Sequence, residues 1–166
     1  MTATLVFLHG LESGPHGSKY QTLSGLGLGP VLAPDCSGML DVQERLRKIE
    51  AELQGLQRLV LVGSSFGGLM AVQVALRQPR QVAGLVLCAP ALHGARDLGP
   101  VPPAPDGIPI RVLHGDADDV VPLPPIAAWC TQYHVPLTVV ADGHRLQASH
   151  DDLRRLVREV WGIVTG

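Results

Sequence analysis

Short apolar runs alternate along this chain with segments whose apolar residues recur at helical spacing. Leu5–Leu8, Val31–Ala33, Leu59–Val62, Leu85–Cys88, Ile110–Leu113 and Leu137–Val140 each read as a strand. Several of these runs are apolar on successive residues rather than on alternate ones. Both faces of such strands need cover, which is the signature of a parallel sheet flanked by helices.

The intervening segments supply that cover. Val42, Leu46, Ile49 and Leu53 recur at i, i+4, i+7 and i+11, with Glu, Arg and Lys on the other face and Asp41 suited to the N-terminus. Gly67 to Arg77 is apolar nearly all round and predicts a largely buried helix. Further helices are predicted from Pro122 to Tyr133 and from Ser149 to Val164, with a weaker one from Ser18 to Leu26. In the last long helix Ser149 is the expected N-cap, Asp151 and Asp152 fall in the first turn, and Leu153, Leu156, Val157, Val160 and Val164 form the buried stripe. Strand–helix alternation from end to end predicts a doubly wound α/β sheet in a single domain, residues 1–166. The Pro- and Gly-rich stretch Gly94–Pro109 reads as a loop within that domain, not as a linker between two.

Composition narrows the function classes. Apolar residues make up 46% of the 166 and charged residues 17%, so the chain can bury a sizeable core and is no disordered tail. The formal charge of −2, with no basic run, argues against a nucleic-acid partner held through phosphates. No stretch of about 20 apolar residues is present to span a membrane, and Leu5–Leu8 is too short for a secretory signal. The three cysteines, Cys36, Cys88 and Cys130, are widely spaced and form no CxxC pair, so they read as buried thiols in a reducing cytoplasm.

The chemistry begins at Gly63-Ser64-Ser65-Phe66-Gly67, directly after one apolar run and directly before a helical segment. This is G-x-S-x-G in its strand–turn–helix setting. Glycines two positions either side of Ser65 admit a sharp turn, and Gly68 lets the helix approach the sheet closely. Such a turn pushes the Ser65 hydroxyl out at the carboxyl edge of the sheet, where open α/β sheets bind ligands. An inert glycine-rich turn is the alternative; a phosphate-binding loop is not, because Gly67 is followed by Gly68-Leu69 and not by Lys-Ser or Lys-Thr. A serine nucleophile needs a base, and the base needs an orienting carboxylate, in the chain order Ser…Asp/Glu…His. His144 directly follows a predicted strand and is the expected base in preference to His150. Asp116, Asp118 and Asp119 all follow the strand before it, and each could be the acid or simply shape a turn.

Four segments together resemble the α/β-hydrolase superfamily, and within it the small capless serine esterases. They are Leu8-His9-Gly10-Leu11-Glu12-Ser13-Gly14-Pro15, the Gly63–Gly67 elbow, His114-Gly115-x-x-Asp118-x-x-Val121-Pro122 and Gly143-His144-Arg145-Leu146. The resemblance runs from residue 8 to residue 146 and implies a minimal α/β-hydrolase fold. That fold has a six-stranded all-parallel sheet in the order 2-1-3-4-5-6, helices on both faces and no cap domain, since Gly94–Pro109 is too short and too proline-rich to build one. It also implies Asp118 as the acid, and the backbone N–H groups of Leu11 and Phe66 as the oxyanion donors. His9 is then a turn-stabilising residue, and the Phe66 ring either lines an acyl pocket or packs at the elbow. His16, His93 and His134 read as surface or loop residues. The expected function is hydrolysis of carboxylic esters with small or exposed acyl groups, through an acyl-enzyme on Ser65, Asp118 and His144, with no cofactor and no metal. Thioesterase or amidase-type acyl hydrolysis, and a non-catalytic binding protein on the same scaffold, are the alternatives.

Overall fold

The computed structural model describes residues 2–93 and 99–166. Six strands form one sheet: β1 (Thr4–Leu8), β2 (Val31–Leu32), β3 (Leu59–Ser64), β4 (Val82–Cys88), β5 (Ile110–Gly115) and β6 (Leu137–Val140). Their order is β2-β1-β3-β4-β5-β6 and every pairing is parallel, as the resemblance implied. All six therefore point their carboxyl ends toward the same edge of the sheet.

Five helices cover it: α1 (Ser18–Ser24), α2 (Val42–Glu52), α3 (Phe66–Arg77), α4 (Leu123–Tyr133) and α5 (His150–Thr165). On one face α2, α3 and α4 bury Leu46, Ile49, Met70, Val74, Ile126 and Trp129 against Val6, Leu61, Leu85 and Val112. On the other, α1 and α5 bury Leu23, Leu153, Leu156, Val157 and Val160 against Leu5, Val60, Val62 and Val86. Neighbours along a strand belong to opposite cores, which is why the central runs have no polar alternation.

The elements match the hydrophobic pattern to within a few residues, and the differences have local causes. β4 begins at Val82, before its apolar run, because Leu59 N–H reaches the Gln81 carbonyl and extends the ladder. Asp41 caps α2 by accepting the Glu44 N–H at 2.9 Å. Ser149 occupies the cap position of α5 but makes no capping bond; its hydroxyl instead donates to Asp142 Oδ2 at 2.8 Å. The charged face predicted for α2 is broken by Arg45, which is 1% exposed.

Residues 99–109 of the proline-rich stretch carry no helix, and the Trp129 indole N–H holds their course by donating to the Pro102 carbonyl at 2.8 Å. The rest of that loop, residues 94–98, lies outside the described residues. Among the described residues no helix is long and apolar enough to cross a membrane.

α5 lies so close to β4 that only glycine fits between them at position 84. A Cβ there would come within 2.5 Å of Val160 Cγ1 and 3.2 Å of Val164 Cγ2. Gly84→Val is expected to lower stability by about 1–3 kcal/mol through overpacking. A drop in the urea midpoint at unchanged slope would register it, with Ser65, at the far end of the neighbouring strand, still accessible to a serine-directed probe.

Candidate active site

Four loops meet at the carboxyl edge of the sheet: the turn after β1, the β3–α3 elbow, the loop after β5 and the loop after β6. The elbow is set by backbone contact. A Cβ on Gly67 would lie 2.0 Å from the Leu8 carbonyl oxygen, and one on Gly63 would lie 2.3 Å from the Gly67 carbonyl oxygen. Ser65 takes φ +57° and ψ −117°, a conformation that L-residues avoid and that its surroundings must enforce. Its N–H donates to the Cys88 carbonyl at 2.9 Å, and its own carbonyl accepts from Gly68 and Ala91, each at 2.9 Å. The side chain is thereby driven out of the chain's path toward the loop edge.

There the Ser65 hydroxyl meets His144 Nε2 at 3.0 Å. On the other side of the ring, His144 Nδ1–H donates to Asp118 Oδ2 at 2.8 Å. The structure thus joins Ser65, His144 and Asp118 in one hydrogen-bonded line spanning three loops. The imidazole is 19% exposed and the Asp118 side chain fully buried, so water reaches the serine end of the line and not the carboxylate end.

Of the three aspartates after β5, only Asp118 turns inward; Asp116 and Asp119 are exposed. The inward turn follows from local bonding, because Asp118 Oδ1 accepts the N–H groups of Val120 and Val121 at 2.9 and 2.8 Å. Its Oδ2 also lies 3.3 Å from His114 Nε2, whose N–H donates to the Val121 carbonyl at 2.8 Å. Three N–H donors, those of Val120, Val121 and His144, bond the buried carboxylate, the arrangement that makes burying such a group tolerable. His114 is itself wholly buried, and among the described residues its Nδ1 has no hydrogen-bond partner.

His144 is carried by a loop cinched on Asp142, a residue whose role the sequence reading did not assign. Asp142 Oδ1 accepts the Gly143 N–H, and Oδ2 accepts the Ala148 N–H and the Ser149 hydroxyl. Burial opposes ionisation of this carboxyl, but the bonds from Ser149, Gly143 and Ala148 outweigh it and hold the pKa below the usual carboxylate range. An Asp-Gly pair two residues ahead of the histidine was the available signal. The Asp142 carbonyl also accepts the Ala117 N–H at 3.1 Å, locking the acid and histidine loops together. His150, the rejected base, sits in the first turn of α5. It is half-buried rather than facing water, paired at 2.5 Å with the Thr22 hydroxyl.

On the β1 side, a Cβ on Gly10 would lie 3.4 Å from Ser65 Cβ, so the His9-Gly10 turn flanks the serine. Among the described residues neither the Leu11 N–H nor the Phe66 N–H has a hydrogen-bond partner. The Phe66 ring is 2% exposed and packs beneath the elbow. His9 is buried and spanned by two bonds: its Nε2 accepts the Cys36 N–H at 2.9 Å, and its Nδ1–H donates to the Gly10 carbonyl at 2.7 Å. The Cys36 bond requires the neutral ring. Burial lowers the His9 pKa, with the Gly10 bond opposing and the Arg45 charge reinforcing that effect.

His16, His93 and His134 are exposed. All three cysteines are buried; burial raises the Cys36 thiol and pushes Cys88 and Cys130 up to about 11, which makes them inert at neutral pH. Among the described residues no group of three or more His, Cys, Asp or Glu is placed to hold a metal ion. A cavity of about 380 Å³ opens at the opposite edge of the sheet, between residues 104–111 and 133–136, away from Ser65.

His9 and His150 both have folded-state pKa values lowered by burial. The unfolded chain therefore binds more protons as pH falls through the free-histidine value of about 6.5, and stability falls with it. The apparent melting temperature is expected to be lower at pH 5 than at pH 7.5. Equal melting at the two pH values would contradict the neutral, buried His9.

A search of curated proteins finds no match to the chain. The profile of the family described as serine aminopeptidase, S33, matches residues 37–107. Among solved structures, a protein from Xanthomonas campestris assigned as a hydrolase of the α/β superfamily is 29% identical, with a TM-score of 0.80 over 96% of this chain and 97% of that one. Mouse alpha/beta hydrolase domain-containing protein 10 is 18% identical, with a TM-score of 0.81 over 99% of this chain and 91% of that one. Est1E from Butyrivibrio proteoclasticus is 19% identical, with a TM-score of 0.76 over 99% and 89%. These last two share the fold, whereas the Xanthomonas protein is also related in sequence over nearly its whole length. With its parallel sheet in this order and the glycine-framed elbow at the end of β3, the chain belongs to the α/β-hydrolase superfamily.

Proposed function

We propose that the protein is a serine hydrolase of carboxylic esters or thioesters with small or exposed acyl groups. The observation that carries this reading is the continuous line from Ser65 Oγ through His144 to Asp118, at 3.0 and 2.8 Å. Nucleophile, base and orienting acid stand at hydrogen-bonding distance in the order that acyl transfer requires.

In the proposed reaction Ser65 Oγ attacks the substrate carbonyl carbon as His144 Nε2 takes its proton. Asp118 holds the ring with Nε2 free to accept and stabilises the imidazolium that results. The N–H groups of Leu11 and Phe66 receive the oxyanion, each donor of this kind contributing about 3 kcal/mol to the transition state. Collapse expels the alkoxide or thiolate, which takes the proton from His144 and leaves the acyl group on Ser65. Water then enters, His144 takes one of its protons, and the hydroxide attacks the acyl carbon. The carboxylic acid departs as the proton returns to Ser65 Oγ.

The open setting supports small or exposed acyl groups. Residues 99–109 form no helical cap, and Leu40 and Val120, 56% and 61% exposed, stand on loops at this edge of the sheet. An amide substrate is the second reading, favoured by the serine aminopeptidase profile over residues 37–107. The same constellation would then protonate an amine leaving group.

Wild-type protein is expected to react with a fluorophosphonate probe and to turn over p-nitrophenyl acetate faster than longer-chain esters. Ser65→Ala should lose labelling and at least about 10³-fold in kcat while melting normally; a folded Ser65→Ala protein with full esterase activity would refute the nucleophile. Asp118→Asn should cut kcat by about 10²–10⁴-fold with little change in KM. If Asp116→Asn or Asp119→Asn produced that loss and Asp118→Asn did not, the assignment of the acid would fail. Labelling of Ser65 together with cleavage of aminoacyl anilides and not of esters would favour the amide reading.

A further inference from the structure

Arg45 is a cation buried to 1% exposure in the first turns of α2, and its partners are carbonyls and an aromatic face rather than a carboxylate. Nε donates to the Met39 carbonyl at 2.7 Å, Nη1 to the His9 carbonyl at 2.9 Å and Nη2 to the Gly10 carbonyl at 3.1 Å. The guanidinium carbon lies 4.8 Å from the centroid of the Phe66 ring. Burying a charge this way is costly unless something is gained from it, and its contacts show what it holds. They are the turn beside Ser65 and the residue that follows Ser65.

The Gly10 carbonyl is gripped twice, by Arg45 Nη2 and by His9 Nδ1–H at 2.7 Å. In a trans peptide the N–H points opposite to the C=O, and no cis bond occurs among the described residues. Pulling the Gly10 carbonyl toward the buried guanidinium therefore turns the Leu11 N–H to the other side of the turn, where it has no partner and where Gly10 abuts Ser65. Two donors on that carbonyl also polarise the peptide and strengthen its N–H as a donor. The same planar group lies on the ring of Phe66, whose N–H is the other unpartnered donor at the elbow.

We propose that Arg45 is a positioning residue that sets both oxyanion donors, Leu11 N–H through the Gly10 carbonyl and Phe66 N–H through the ring, from behind the site. The proposal rests on the serine-hydrolase reading above. Arg45 touches neither substrate nor the reacting atoms. Its contribution belongs to the stage at which negative charge appears on the carbonyl oxygen, so it acts on kcat rather than on substrate binding.

The test compares wild type, Arg45→Met and Arg45→Lys. Active sites are counted by fluorophosphonate titration, p-nitrophenyl acetate supplies kcat and KM, and affinity is measured for an alkyl boronic acid, whose boron becomes a tetrahedral anion on Ser65 Oγ. Complete loss of one oxyanion donor costs about 10²–10³ in kcat. Misplacing the donors by Arg45→Met is therefore expected to lower kcat per titrated site about tenfold to hundredfold, with KM within about twofold and boronate affinity falling by the same factor. Arg45→Lys should fall between, because an ammonium reaches a carbonyl but cannot span the Met39, His9 and Gly10 carbonyls as a guanidinium fork does. A purely structural role would lower the melting temperature and leave kcat per titrated site and boronate affinity within twofold of wild type, which would overturn the proposal. If Arg45→Met does not fold, Arg45→Lys decides by the same criterion. Wild-type protein unlabelled at Ser65 would overturn the hydrolase reading itself, a result seen before any Arg45 variant is made.

Discussion

The first turn of α3 rests directly on the carbonyls that end β1, and Gly67 makes that contact possible. Any side chain at position 67 would have to occupy the Leu8 carbonyl, so the helix would lift away from the sheet. The contact determines where the chain goes between β3 and α3. With the helix pressed down, the connection has room for one residue, and that residue must accept a positive φ. Ser65 adopts it at a cost of about 1–3 kcal/mol, held by backbone bonds to Cys88 at the end of β4 and to Ala91 just beyond it. The same contact brings the His9-Gly10 turn alongside the serine. The proposed nucleophile and the candidate donors facing it are thus placed by one backbone approach, and the site inherits the rigidity of the sheet beneath it.

Around that point the molecule buries polar groups and satisfies nearly all of them locally. Asp118 draws on two N–H groups of its own loop and on His144. Arg45 and His9 together tie Met39, Cys36 and the Gly10 carbonyl into one network behind the β1 turn. Asp142 holds the loop that presents His144. Each network fixes a loop whose residues are too few to form a core of their own. The loops therefore behave as extensions of the sheet.

The fold was legible because its evidence is periodic. Leu59–Val62 and Leu85–Cys88 could be apolar on consecutive positions only if helices covered both faces, and the two cores on either side of the sheet are the direct result. Within the site, Ser65 was legible because glycines two positions either side of it are what let the turn close. His144 was legible from its place after a strand. Arg45 was not. Its spacing put it among the charged residues of α2, and at the level of a helical wheel a buried arginine and a solvated one look alike. Asp142 was missed for a similar reason: its partners Ala148 and Ser149 are recruited by a loop that curls back on itself, which no periodicity records.

What the sequence alone determined is the order of elements, the parallel sheet and the position of the sharp turn. These depend on hydrophobic period and on glycine, both of which act over a few residues. The spacing of residues left Asp116, Asp118 and Asp119 open and the family resemblance implied Asp118; the tertiary structure puts Asp118, of the three, against His144. That choice depends on which carboxylate meets a histidine 26 residues further along the chain, at 2.8 Å, after two strands have paired. It alone placed Arg45 beneath the Gly10 carbonyl, across 35 residues. Such meetings are long-range, and their free energy comes from burial and hydrogen bonds that exist only once the sheet has assembled.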